Sequence, residues 1–269
     1  MNPSRFSKYA TGLASLALCC ILTSATRPHP VTTIAIPAMI TEPTHPTKAK
    51  PKVLIFSKTN GYHHACIPVG IEAIRKLGAE NGFDVDATDD STMINYKNLK
   101  KYKTLIFLCP TGKVFGPDEE KDLQKYIHHG GGFVGIHAAA DCEYNFQWYG
   151  DLVGGYFKSH PKQQQAKFIV VDKNHPASMN LPDVWDHFDE LYNYKYFNPD
   201  IKVLVKIDEK SYTGGENGDN HPMIWYHAFD GGRSFYTELG HTNECYSDPT
   251  YLGMLLGGIQ YAMGTKKVN

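Results

Sequence analysis

The sequence has no excess of one charge, no long apolar run, no CxxC pair and no glycine-rich phosphate loop after its first strand. Each absence removes a class of function. Its 269 residues carry 27 Lys+Arg against 28 Asp+Glu. The balance is uneven: residues 1 to 51 hold Arg5, Lys8, Arg27, Lys48 and Lys50 with a single acid, Glu42, so the remainder is net acidic by five charges. A mildly acidic body without a Lys/Arg stripe lacks the electrostatic means to hold a polyphosphate, which argues against a nucleic-acid partner and for a neutral ligand. Cys66, Cys109, Cys142 and Cys245 have no CxxC spacing, so they imply neither a zinc site nor a particular disulfide, and four separate buried thiols fit as well. The first strand is followed by Thr59-Asn60-Gly61-Tyr62, not GxGxxG, which argues against a nicotinamide dehydrogenase. No HExxH fixes a metal either.

What is present suits one globular domain. With 42% hydrophobic and 12% aromatic residues, a chain of this length buries roughly three quarters of its unfolded surface and needs no staple. Arg5 and Lys8 precede an apolar run, Leu13 to Leu22, and then the small residues Thr23-Ser24-Ala25, which reads as an export signal over residues 1–25. The run is too short for a permanent membrane span. A lipoprotein anchor at Cys19 or Cys20 fits less well, because Leu18 is bulky where a lipobox takes a small residue. The Pro/Thr-rich stretch 26–51 reads as a tether, and 52–264 as the folded domain of an exported, periplasmic or extracellular protein.

Within that domain, strand runs at Val53–Ser57, Phe83–Ala87, Thr104–Cys109 and Phe133–His137 alternate with helical patterns at Ile67–Asn81 and from Pro117 to Gly130. Pro117 with three acids opens the second helix, where they complement the dipole. Alternation of this kind predicts a doubly wound, mainly parallel α/β sheet of the flavodoxin-like type. From residue 165 closely spaced strand candidates follow: Ala166–Asp172, Leu191–Tyr196, Lys202–Ile207, Met223–Phe229 and Arg233–Leu239. They extend the sheet in its C-terminal half, and Pro249–Met263 closes the domain as a helix.

Ligands in such sheets bind beyond the carboxyl ends of the strands, where strand order reverses. The segments due there carry Asn60, Tyr62, His63 and His64 after the first strand, and His137 with Asp141 after the fourth. Gly135-Ile136-His137-Ala138-Ala139 has the form of a tight strand-to-helix elbow that pushes a side chain into the crevice. His160, in a loop from Gly154 to Pro161, is placed to close over it. Asp189 and Glu190 are adjacent and point to opposite faces if extended, with Glu190 inward and Asp189 solvated. His241 follows a strand end and is delivered like His137; His221 either follows it or makes a turn. Tyr62, Trp148, Tyr149, Tyr156 and Tyr192 offer faces for a sugar, while Trp185 and Trp225 are expected in the core. His128 and His129 end a helix, where they cap it.

The ordered set Thr59-Asn-Gly-Tyr-His-His64, Gly131-Gly-Phe-Val-Gly-Ile-His137, Gly154-Gly-Tyr-Phe-Lys-Ser-His-Pro161, Asp189-Glu-Leu-Tyr192, Pro222-Met-Ile-Trp225, Gly232-Arg-Ser-Phe-Tyr236 and Leu239-Gly-His241 resembles the ThuA-like, trehalose-utilisation family. The resemblance covers residues 52 to 264 and implies a class I glutamine amidotransferase-like fold with a role in handling disaccharides and their 3-keto derivatives. Glutamine hydrolysis is not implied, because His137 stands on the elbow where that chemistry needs cysteine, and Cys142 comes five residues later. The expectation is therefore an enzyme acting on a glucoside or 3-keto disaccharide by acid–base chemistry. His137, His63, Glu190 and His241 are assigned to catalysis, and Asn60, Tyr62, His64, Asp141, Trp148, His160 and Tyr192 to the carbohydrate. No cofactor is expected; a divalent metal would use His63, His137, His241 and Glu190. A non-catalytic carbohydrate-binding or scaffold module of the same fold is the alternative.

Overall fold

Short apolar runs form the middle of the sheet, because only a strand covered on both faces hides every side chain of such a run. Thr104–Leu108 and Gly132–Ile136 are buried at every position, and Lys52–Phe56 at all but its first. The computed structural model describes residues 49–268. In chain order its elements are β1 (Lys52–Phe56), α1 (Ile67–Asn81), β2 (Asp84–Thr88), α2 (Tyr96–Leu99), β3 (Thr104–Leu108), α3 (Pro117–His128) and β4 (Gly132–Ile136). Then come α4 (Gln147–Val153), β5 (Gly155–Ser159), β6 (Gln164–Val170), β7 (Val184–Asp189), β8 (Asn193–Phe197), β9 (Lys202–Ile207), β10 (Pro222–Phe229), β11 (Gly232–Thr237) and α5 (Pro249–Ala262). The leader expected over 1–25, with Arg5, Lys8, Cys19 and Cys20, and the tether as far as residue 48 lie outside the described residues. Among the described residues no helix is long and apolar enough to cross a membrane.

Nine strands form one sheet in the order β2-β1-β3-β4-β11-β10-β9-β6-β7, and β5 pairs with β8 in a separate ribbon. The first five are mutually parallel. The last four add antiparallel, so β9 and β7 regain the direction of β11, and only β10 and β6 oppose the rest. This is the mainly parallel α/β sheet, extended in its C-terminal half, that the sequence predicts. Strand order reverses between β1 and β3.

In a flat sheet the end of β7 would stand about 19 Å from the end of β11, four strand spacings away. Yet Asp189, the last residue of β7, accepts a hydrogen bond from Gly240 N at 2.8 Å. The antiparallel half therefore curls back over the segment that leads into α5, and His187 of β7 reaches Cys245 there at 3.4 Å. The curl brings Glu190 to the carboxyl ends of the parallel strands.

Besides the single turn of α2, three elements depart from the sequence reading. Gly155–Ser159 is a strand, where a loop was expected, because β8 pairs with it from Gly155 to Ser159. α4 is unanticipated; Gly154 stops it at φ +93°, and a Cβ there would meet the Trp225 ring, whose Nε1 donates to Val153 O at 2.8 Å. β7 is the third. The four cysteines are free and buried, with the Cys66 and Cys109 sulfurs 3.8 Å apart.

The core also holds titratable groups that make the fold sensitive to acid. His175 packs its ring against Tyr226 and Tyr261, at 4.4 and 4.6 Å between centroids, and its Nδ1 accepts from Ala177 N at 3.0 Å. Protonating that nitrogen would replace an acceptor with a donor facing a donor. Burial accordingly pushes its pKa down to about 4. The folded pKa lies below the unfolded one, so this contribution is complete above about pH 6.5 and is lost as pH falls towards 4, by about 3 kcal/mol. Urea unfolding at pH 7.5 and pH 4.5 should show that loss. His175→Asn, less stable at the higher pH, should show a visibly shallower slope; an unchanged slope would remove His175 from the account.

Candidate functional site

β1, β4, β7 and β11 end at one edge of the sheet, and the segment after each supplies one side chain to one place: His64, His137, Glu190 and His241. One nitrogen or oxygen from each lies within 4.8 Å of the others. His137 opens a tight 3-10 turn, His137–Ala140, with φ +50°. A left-handed conformation costs a non-glycine residue of order 1–3 kcal/mol, and such strain persists only where surroundings impose it. Here Tyr236 of β11 donates its hydroxyl to His137 O at 2.8 Å, and the ring is completely buried.

The ring's other contacts fix its tautomer. His137 Nδ1 lies 2.8 Å from Glu238 O, and a carbonyl only accepts, so Nδ1 carries the proton. Nε2 then faces Glu190 Oε2 at 3.3 Å and His241 Nδ1 at 3.1 Å. Glu190 Oε2 is also 3.2 Å from His241 Nδ1, while its second oxygen, Oε1, sits 3.2 Å from His160 Nδ1. Glu190 thus serves the buried cluster with one oxygen and the more exposed His160 with the other.

Electrostatics sort these groups. Burial would raise the Glu190 pKa, but bonds to His137 and His241 outweigh it and hold the carboxyl far below the usual range. Burial works to lower the His241 pKa, yet Glu190 raises it overall. Burial, then the charges of His137 and His241, drive His64 down to about 3, so it is neutral near pH 7. Burial raises Asp141, against the bond donated by Tyr144.

The cluster opens into a hollow of about 340 Å³ lined by Tyr62, Asp141, Phe157, His160, Gln163 and Tyr192. Cavities of this size suit small ligands. The Tyr192 ring lies 4.3 Å from His137 and 4.2 Å from Phe157, closing the floor, and Tyr62 stands over His241 with rings near parallel at 6.5 Å. Tyr62 is 64% exposed, which leaves its face open to a ligand. A larger surface hollow along β9 and the following turn, near Glu209 and Asp219, carries no comparable convergence of groups.

Of the residues assigned from sequence, His64, His137, Glu190, His241, Tyr62, Asp141, His160 and Tyr192 are brought together. His63 is not. It is exposed, its Nδ1 meets Thr59 Oγ1 at 3.0 Å, and it borders a different hollow beside Ala87 and Asp89. Asn60 ties the loop down by donating Nδ2 to Lys113 O. Trp148 packs on Phe146 and Phe229 with Nε1 3.3 Å from Asp230, in the turn that starts β11, at the opposite edge of the sheet. Asp189, expected in solvent, is fully buried. His221 is a buried support: its Nε2 lies 2.7 Å from Tyr192 O. Sequence reasoning missed Glu238, a buried carboxyl whose pKa burial raises and whose Oε1 accepts from Tyr192 N at 3.1 Å. It also missed Phe157 and Gln163, whose signal was their closeness to His160.

Comparisons with known proteins follow the same outline. A family model for ThuA, described as trehalose utilisation, matches residues 52–262. A solved structure described as ThuA-like, from Bacteroides uniformis ATCC 8492, is 26% identical with a TM-score of 0.68, covering 82% of this chain and 95% of its own. A second, from Parabacteroides merdae ATCC 43184, is 21% identical with a TM-score of 0.67, over 82% and 92% of the two chains. PurLQS from Thermotoga maritima shares the fold alone, at 13% identity and a TM-score of 0.50, over 79% of this chain and 99% of that one. Among curated proteins none matches the chain.

Proposed function

The chain belongs to the ThuA, trehalose-utilisation, family, and from that premise we propose that it is a carbohydrate enzyme acting on a glucoside or 3-keto disaccharide by proton transfer. The observation that carries this reading is Glu190, which joins a buried histidine cluster to His160 at the mouth of an aromatic-lined hollow. In a 3-keto sugar the C2 proton is acidic. His160 Nδ1 faces two acceptors, Glu190 Oε1 and Pro161 O, so its Nε2 is left with a lone pair to remove that proton. The histidine cluster would stabilise the negative charge that develops on the C3 oxygen. Return of the proton to C2 gives exchange, its delivery to C3 of the enediol gives the 2-keto isomer, and departure of the C1 substituent, whose oxygen takes up the proton removed from C2, gives elimination. Asp141, whose pKa burial raises, is a second proton acceptor at the same wall. The Arg5/Lys8 pair and the Leu13–Leu22 run support export of the protein.

Incubating the protein with a panel of glucosides and their 3-keto derivatives in deuterated water tests the reading. Loss or exchange of the C2 proton in at least one 3-keto sugar, seen by NMR, is the expected result. Binding shifts without exchange across the whole panel would instead leave a carbohydrate-binding module.

A further inference from the structure

His137 Nε2, His241 Nδ1 and Glu190 Oε2 form a triangle with edges of 3.1, 3.2 and 3.3 Å. Every edge is a hydrogen-bond distance, yet protons cannot satisfy all three. Each edge needs one donor and one acceptor, and a ring nitrogen is one or the other, never both. With a carboxylate as the third corner the three cannot alternate, so one edge always sets lone pair against lone pair or N–H against N–H. The His137 tautomer makes this sharper, because its Nδ1–H is spent on Glu238 O and a neutral ring turns a lone pair inward. His64 adds a further donor atom to the set, and its buried Nδ1 has no hydrogen-bond partner.

A cation satisfies what protons cannot. An ion at about 2.1 Å from each corner, a usual metal–imidazole distance, sees neighbouring ligands about 100° apart, between octahedral and tetrahedral angles. The Nδ1–H of His137 bound to a carbonyl is the outer contact that ligating histidines commonly make.

We propose that His64, His137, Glu190 and His241 bind one divalent first-row transition cation, such as Zn2+, Mn2+, Co2+ or Fe2+, with its open positions toward the hollow. Three imidazoles favour these ions over Mg2+ or Ca2+, which prefer all-oxygen shells. The binding claim stands on geometry alone. The role it would serve rests on the reading above: the cation would polarise the C3 oxygen of the sugar, while His160 and Asp141 move protons.

The test is metal binding by the purified full chain, stripped with a chelator, dialysed and titrated with Zn2+, Mn2+ or Co2+. Elemental analysis gives the stoichiometry, and the visible spectrum of the Co2+ form reports nitrogen ligation. Wild type should hold close to one ion per chain. His64→Ala and Glu190→Gln should each weaken it by about 100-fold or more, since removing even an outer partner costs 10–100-fold. His63→Ala, one residue away and outside the cluster, should bind as wild type. Circular dichroism checks folding, and His64→Gln replaces His64→Ala if the latter unfolds. Wild type binding no tighter than His64→Ala, or a loss in His63→Ala equal to that in His64→Ala, overturns the site. Ion binding without sugar turnover supports this inference and overturns the proposed reaction; turnover by ion-free protein supports the reaction and overturns the cation's role in it, while the titration alone decides binding.

Discussion

Glu190→Gln is expected to lower turnover of a 3-keto glucoside by about a thousand-fold while leaving the fold intact. Glutamine keeps the shape but is neutral, and it replaces one acceptor oxygen with a donor nitrogen. The carboxylate meets His137 and His241 through one oxygen and His160 through the other. Either orientation of the amide therefore breaks one side of the arrangement. If the amide oxygen takes the cluster, the NH2 faces the Nδ1–H of His160 and turns the proposed base away; if it takes His160, the NH2 confronts the cluster. Proton transfer and preorganised charge stabilisation each contribute 100-fold or more, and this substitution touches both. The loss should fall on kcat more than on KM, because Tyr62, Phe157 and Tyr192 still line the hollow. It should also overlap with that of His160→Asn, so the double variant is little worse than Glu190→Gln alone, as for groups that act as a unit. A loss below ten-fold, or fully additive effects, would remove Glu190 from this position in the reaction.

The strand-end rule made most of the site legible. His137 and His241 follow strands β4 and β11, whose apolar runs mark them in sequence, and the elbow at Gly135–Ala139 has the strained backbone that such a turn implies. His63 and His64 show where the rule stops. The segment after β1 is irregular, so no period of 2 or 3.6 says which neighbour turns inward. What decides is a tertiary constraint: Thr59 bridges to Thr111 beside β3, and Thr59 Oγ1 then holds His63 on the outside. β7 was hidden for a different reason. Its alternation is mostly inverted: Trp185 is buried, but Val184 and Phe188 are about half exposed while His187 and Asp189 are buried. A hydrophobic period assigns the wrong face to such a strand. The buried polar residues are there because the sheet curls over the segment before α5, a long-range contact that no local pattern carries. Trp148 failed similarly, since α4 places its ring against Phe229 and Asp230 at the far edge.

The inversion of β7 makes Asp189 the second position of large expected effect. Its Oδ2 accepts from Gly240 N at 2.8 Å and from the Cys245 thiol at 3.1 Å, and its Oδ1 from Glu190 N at 2.9 Å. Gly240 immediately precedes His241, so one buried carboxylate sets the backbone of two cluster residues on strands that are not neighbours. Asp189→Ala leaves three donors without an acceptor inside the protein. Bonds to a charged group contribute about 1.5–3 kcal/mol each and are not additive, so the expected loss is about 4 kcal/mol. For a domain of this size that lowers the Tm by roughly 10 °C. Asp189→Asn keeps an acceptor oxygen and should recover most of the stability. If Asp189 were only structural, activity would recover with it. As a positioning residue it predicts otherwise: the asparagine NH2 cannot accept from Gly240 N and from Glu190 N together with the oxygen, so His241 or Glu190 shifts. A fall in kcat of about ten-fold in a protein of near-normal Tm, with KM little changed, is the expected signature. Full activity at restored stability would confine Asp189 to holding the curl of the sheet.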